Sequence, residues 1–190
     1  MLKIAIIIGS TRPGRNCEAV SKWAHGIASK RDDAEFELVD IASFALPLLD
    51  EPMPASFGQY HHAHSRAWSA KIASFDGFVF VTPEYNHGTS AALKNAIDFL
   101  YQEWANKAAG FIGYGASLGV RAVEHLRLVM SSLHVATVTA QVGLSLFTDF
   151  ENFSVLKPAA AQDQHVTRML DQVIAWSGAL RVLRARSGPA

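Results

Sequence analysis

Hydrophobic positions along this chain fall in two alternating kinds of run. Leu2 to Ile8 is continuously apolar, too short for a helix and followed at once by Gly9-Ser10-Thr11-Arg12-Pro13-Gly14. Such a run predicts a strand buried on both faces. Cys17 to Lys30 then places Ala19, Val20, Trp23, Ile27 and Ala28 at helical spacing. The alternation continues with a strand at Phe36 to Val39, ending at Asp40, and a helix at Tyr60 to Phe75. Next come a strand at Gly77 to Thr82, a helix at Ala91 to Leu100 capped by Thr89 or Ser90, and a strand at Lys107 to Gly113. A helix to about Leu133, a strand at Val135 to Val142 and a last helix from Gln164 to about Arg184 complete the series. Ala42 to Gln59, with three prolines and Gly58, reads as a long loop, and Leu144 to Pro158 as irregular. Five apolar strands alternating with helices predict an α/β fold: a five-stranded parallel sheet with helices on both faces, forming one domain over residues 1–190.

In open sheets of this kind ligands bind beyond the carboxyl ends of the strands, where the strand order reverses. Three loops rich in glycine and polar residues all follow strands: 9–16, 83–88 and 113–119. Placement alone makes them one candidate site. The first offers hydroxyls from Ser10 and Thr11, guanidiniums from Arg12 and Arg15, the Asn16 amide and the N–H groups of a helix start. That donor set suits a phosphate monoester. It is neither a nucleoside-triphosphate loop, G-x-x-x-x-G-K-[ST], nor the dinucleotide pattern G-x-G-x-x-G; Asp40 only partly imitates a ribose-binding acid and is expected to be structural. After Pro83, the amides of Glu84, Tyr85 and Asn86 are expected to face a flat ring with alternating donors and acceptors, and the Gly115-Ala116-Ser117-Leu118-Gly119 stretch its other edge. Each of these two loops taken alone reads equally well as an ordinary turn.

Composition narrows the function classes. Lysine plus arginine and aspartate plus glutamate are 17 each, so the basic surplus of a nucleic-acid binder is missing. Hydrophobic residues make up 49% and charged residues 18%, which excludes disorder and suggests surface buried between subunits. No apolar run approaches the ~20 residues of a membrane span, and no secretory leader is visible, so a cytoplasmic protein is expected. The one cysteine, Cys17, leaves neither a disulfide nor a cysteine-rich metal site, and the histidines match no metal pattern. Lys94 with Asp98, and Arg121 with Glu124, read as solvated pairs on helix surfaces.

Taken together, the motifs Gly9-Ser10-Thr11-Arg12-Pro13-Gly14-Arg15, Thr82-Pro83-Glu84-Tyr85-Asn86-His87-Gly88 and Leu93-Lys94-Asn95-Ala96-Ile97-Asp98 resemble the NAD(P)H-dependent FMN reductases, a group that includes quinone, azo-dye and chromate reductases. The resemblance runs from residue 1 to about 140. It implies a flavodoxin-like three-layer sandwich with FMN as cofactor and NADPH or NADH as co-substrate. The first loop would bind the FMN phosphate through Ser10, Arg12, Arg15 and Asn16; where family members carry a serine, Asn16-Cys17 stands here, and either residue could make that contact. Pro83, Glu84, Tyr85 and Asn86 would lie against the ribityl and ring, and Gly115, Ala116 and Ser117 against the pyrimidine side. The resemblance implies no catalytic side chain, because the flavin N5 carries the hydride while the protein supplies orientation and electrostatics. It further implies ping-pong reduction of quinones, flavins, azo compounds or metal oxyanions, by a homodimer or homotetramer whose third and fourth helices make the contacts. A one-electron flavodoxin-type carrier or a non-catalytic FMN-binding protein is the alternative; the zero net charge speaks against the strongly acidic carrier.

Overall fold

The computed structural model describes residues 1–186; residues 187–190, which the single-domain reading includes, lie outside it. Five strands, β1 (Leu2–Ile8), β2 (Ala34–Asp40), β3 (Gly77–Pro83), β4 (Ala108–Gly115) and β5 (Ala136–Ser145), form one parallel sheet in the order β2-β1-β3-β4-β5. The helices are α1 (Cys17–Ala28), α2 (Ala63–Ala73), α3 (Ala91–Asp98), α4 (Val120–Ser132) and α5 (Ala161–Arg186).

The strand pleat divides the core into two layers. Ala5, Ile7, Phe78 and Phe80 pack with Trp68, Ile97, Val123 and Leu126 under α2, α3 and α4. Ile4, Ile6, Val79 and Val81 pack with Val20, Ala24, Met169 and Val173 under α1 and α5. Each valine, isoleucine, leucine, phenylalanine or methionine among them contributes about 1.5–3 kcal/mol on burial, and neither face of the central strands can take a polar residue without a partner. That requirement is why these strands read as uninterrupted apolar runs.

The order reverses between β1 and β3. From β1 the chain moves out to β2 and returns on the other side to β3, so the loops leaving β1 and β3 part and leave a crevice at their carboxyl ends.

Two regions depart from expectation. Residues 113–115 continue β4, pairing with Gly143, Leu144 and Ser145, so the exit loop begins only at Ala116. The stretch 144–158 is not wholly irregular: Phe150–Glu151 (β6) and Val155–Leu156 (β7) pair as a short antiparallel hairpin. Buried Asp149 pins it, accepting from Ser145 N at 2.8 Å and, through its backbone carbonyl, from Lys157 N at 2.8 Å. Strands of two residues are too short for any periodicity to reveal. The long loop 41–60 contains two single 3-10 turns, Ile41–Phe44 and Ala55–Phe57, and is clipped to α3 by Asn95, which accepts from Leu49 N at 2.9 Å and donates to Pro47 O at 2.7 Å.

Candidate functional site

The loop after β1 is held against β3. Gly9 N donates to Val81 O at 2.9 Å, and a Cβ on Gly9 would sit 2.4 Å from that oxygen, so only glycine lets the chain leave the strand here. Ser10 is buried; its hydroxyl lies 3.3 Å from the Tyr85 hydroxyl and accepts from Arg12 N at 3.4 Å.

The two arginines part company. The half-buried Arg15 guanidinium donates to the Asp40 carboxylate at 3.0 Å and to Ser10 O at 2.5 Å. Asp40 also accepts from Ala42 N at 3.0 Å, which fits the structural role expected of it. Arg12 is exposed, lies over the Tyr85 ring at 5.9 Å and forms no ion pair among the described residues.

The start of α1 is equally open. Asn16, at the N-cap, does not cap the helix; its side chain donates instead to Phe153 O at 2.7 Å. The backbone N–H groups of Ser10, Thr11, Asn16 and Cys17 have no hydrogen-bond partner among the described residues. An uncapped helix start beside a free guanidinium is a donor set for an anion.

The Cys17 side chain takes no part in this surface. It is fully buried, its thiol donates to Val81 O at 3.3 Å, and burial pushes its pKa up to about 12. Of Cys17, only the backbone amide remains available to a ligand, and the Asn16 side chain is engaged with the hairpin.

The loop after β3 corrects the expectation of three free amides. Glu84 N donates to Tyr114 O at 3.0 Å and Tyr85 N to Gly88 O at 2.9 Å. The second bond closes a tight turn with Asn86 at φ 47° and His87 at φ 72°. Two successive left-handed residues make a turn that favours asparagine and glycine. Of the three amides only that of Asn86, at the tip, is unpaired among the described residues. Ser90, rather than Thr89, caps α3, accepting from Leu93 N at 3.1 Å and donating to Gly9 O at 2.5 Å. The cap therefore also ties the second loop to the first.

In the loop after β4 the amides of Ala116 and Ser117 have no partner among the described residues. Gly119 takes φ +68°, and a Cβ there would lie 2.5 Å from Tyr114 N. Arg121 does not pair with Glu124 as its spacing suggests. Its guanidinium forms an ion pair with Glu84, its backbone N donates to the same carboxylate at 3.1 Å, and it donates to Ser117 Oγ at 2.9 Å. Lys94 and Asp98 do pair, at 2.6 Å.

The three loops and the hairpin enclose a cleft of about 180 Å³. Of the residues singled out from sequence, Arg12, Asn16, Pro83, Glu84, Tyr85 and Gly115 line it. Ser10, Arg15 and Cys17 sit behind that lining, and Asn86, Ala116 and Ser117 lie in the loops that form it. Sequence reasoning missed Tyr114, Leu146 and Phe153, which complete the wall. Tyr114 stood inside a flagged motif; Leu146 and Phe153 carried no signal, because the hairpin that brings them over was itself unseen.

A family model described as NADPH-dependent FMN reductase matches residues 2–149. An NAD(P)H-dependent FMN reductase of a Nectria species is 46% identical over 140 residues, 68% of this chain and 70% of that one. A 2-hydroxy-1,4-benzoquinone reductase of a Burkholderia species is 35% identical over 143 residues, 70% of this chain and 73% of that one. Among solved structures, FerB, a flavoenzyme NAD(P)H:acceptor oxidoreductase from Paracoccus denitrificans, superposes with a TM-score of 0.74 at 19% identity, over 94% of this chain and 98% of that one. That likeness bears on the flavodoxin-like fold alone.

Proposed function

The chain belongs to the NADPH-dependent FMN reductase family, as an FMN-dependent oxidoreductase that draws electrons from NAD(P)H, and we propose that it passes them to quinones and related small acceptors in ping-pong order from the cleft at the β1–β3 crevice. Membership in a family of reductases sets aside the carrier and non-catalytic alternatives. The observation that carries the placement is the cluster of unpaired donors at the head of α1: Arg12 and the amides of Ser10, Thr11, Asn16 and Cys17.

These residues fit the FMN phosphate. The amides would supply fixed N–H donors, Arg12 a mobile guanidinium able to bind in bidentate fashion, and the α1 dipole a favourable potential. Arg15 fits a supporting part: by bonding Ser10 O and Asp40 it would hold the loop in its binding shape. Pro83, Tyr85 and the Asn86 amide would border the ribityl and ring, with Gly115 and the amides of Ala116 and Ser117 at the pyrimidine edge. FMN supplies hydride acceptance and donation, which is why no acid–base dyad is needed in the cleft. The protein's share is orientation, together with neutral amide donors where negative charge develops.

The two half-reactions would use one open face in turn, NAD(P)H leaving before the acceptor enters. Among the described residues no helix is long and apolar enough to cross a membrane; we place the protein in the cytoplasm. We also propose a homodimer or homotetramer, on the grounds of the low charged fraction of the chain, 18%, together with Val120 and Leu128 exposed on α4.

Purified protein tests this reading. Absorption bands near ~375 and ~450 nm would mark a bound flavin, the resident redox cofactor proposed here. Initial rates of NADPH or NADH oxidation with 1,4-benzoquinone should give parallel double-reciprocal lines. Protein that neither retains nor takes up FMN would overturn the placement, and intersecting lines the ping-pong order. A light-scattering mass of one chain at micromolar concentration would overturn the oligomer.

A further inference from the structure

Glu84 presents a puzzle within the cleft. It lines the wall beside Gly115, its side chain is only 5% exposed, and it lies within the region proposed to hold a ring that becomes anionic on reduction. A buried, unpaired carboxylate is costly in itself and would oppose that added charge. The structure pairs it. Arg121 forms an ion pair with the carboxylate, donates its backbone N–H to the same group at 3.1 Å and reaches Ser117 Oγ at 2.9 Å. The α4 start has no side-chain cap of its own, since Gly119 stands at the N-cap, so Glu84 satisfies one of its open amides from the neighbouring loop. The Arg121 Nε is buried without a partner. One pair of side chains thus joins the loop after β3 to the first turn of α4, and the two charges cancel at the cleft wall.

We propose that Arg121 is a positioning residue that sets the reduction potential of the bound flavin by neutralising Glu84. The inference rests on the reading of the cleft as the FMN site and assigns this pair a part in it. The pair would have two separable effects. As a mechanical clasp it holds the two loops at a fixed separation. As a charge pair it makes the wall neutral, so that the net charge left behind when one partner is removed decides which flavin redox state is favoured.

Those effects predict different patterns in a double-mutant cycle. The two-electron potential of bound FMN is measured by spectroelectrochemical titration for wild type, Glu84→Gln, Arg121→Gln and the double variant, with the FMN dissociation constant measured alongside. Glu84→Gln leaves a cation and should tighten reduced relative to oxidised FMN about tenfold, raising the potential by about 30 mV for a two-electron couple. Arg121→Gln leaves the carboxylate and should shift the ratio about tenfold the other way, lowering the potential by about 30 mV. The double variant is neutral again and should return to near the wild-type potential, even though its FMN affinity falls with the clasp. Arg121→Lys keeps the charge and should keep the potential; if Arg121→Gln fails to hold flavin, Glu84→Gln decides by its sign, a potential that stays or falls overturning the proposal. Shifts of the same sign in both single variants, or a double variant no closer to wild type than either, would reduce the pair to a mere clasp and overturn the proposal. Wild-type protein that does not bind FMN would instead overturn the cleft reading, and this inference with it.

Discussion

The two ends of the sheet are built from similar residues and put to opposite uses. At the amino ends of the strands lies the larger cavity, about 700 Å³, lined by Tyr101, Glu103, Lys107 and Arg184 among others. Its charged groups are spent on one another and on the backbone. The Lys107 amine donates to Ile72 O at 3.0 Å and Ala73 O at 3.3 Å, closing the end of α2. Arg184 pairs with Asp76 and donates to Asn106 O at 2.8 Å, while Asp76 also accepts from Lys3 N at 2.9 Å. Glu103 takes the Ser69 hydroxyl at 2.6 Å and the Tyr60 hydroxyl at 3.0 Å. At the carboxyl ends the cleft is roughly a quarter of that size, yet amides and a guanidinium there are left unpaired. Open donors, rather than volume, distinguish an end made for a ligand from an end that holds the fold.

That contrast can be broken by moving the cost of a mutation from one end to the other. Asp76→Ala at the amino end should cost about 2–4 kcal/mol of stability, somewhat below the range for breaking a fully buried pair because both partners keep some solvent contact. It should leave FMN affinity within twofold; thermal unfolding of apo-protein and fluorescence titration with FMN read the two quantities. Arg12→Ala at the carboxyl end should do the reverse. FMN binding should weaken by about 1.5–3 kcal/mol, the range for a hydrogen bond to a charged group, riboflavin binding much less, and apo stability should barely move. Equal losses for FMN and riboflavin would detach Arg12 from the phosphate.

Lys107 sharpens the comparison through pH. Burial, reinforced by the nearby Arg184 cation and partly offset by Asp76 and Glu103, pulls its pKa down to about 7. The unfolded chain keeps that proton up to about pH 10.4, so between the two values the unfolded state binds more protons and stability rises with pH. Lys107 alone would add about 3 kcal/mol from pH 7 to pH 10, of which the Cys17 thiol, ionising earlier in the unfolded chain than when buried, takes back roughly 1–2 kcal/mol, leaving a net gain of order 1–2 kcal/mol. Urea unfolding across that range should show it, and Lys107→Met should abolish the rise. The smallest effect is at Ser90, one of the groups of the carboxyl end that are already paired. Ser90→Ala removes the α3 cap and should cost about 1 kcal/mol of stability; a loss of FMN affinity without any loss of stability would mean that the hydroxyl belongs to the ligand.

The fold was legible because its strands are buried twice over. Ile4 to Ile8 and Phe78 to Val81 admit no polar residue on either face, and such runs declare themselves without a partner in view. The site loops were legible as places, through glycine, proline and their position after strands. Pairings were not. Nothing in the spacing says that Arg15 turns to Asp40 while Arg12 stays free, or that Arg121 reaches across to Glu84 instead of along its own helix to Glu124. Those choices depend on how far apart two loops stand once the sheet has formed. The hairpin that carries Phe153 to the cleft escaped for a related reason, since its order comes from buried Asp149 and not from a repeating pattern.

The burial of Cys17 bears on how long such a protein would survive the quinone chemistry proposed for it. Quinones are Michael acceptors and alkylate thiolates they can reach. This chain has a single sulfhydryl and holds it out of contact with solvent, protonated at neutral pH, directly behind the loop proposed to bind the flavin phosphate. A thiol in that state is a poor nucleophile. An acceptor lingering in the cleft would therefore meet hydroxyls, amides and guanidinium groups, none of which adds readily to it, and successive turnovers would leave no covalent scar at cysteine.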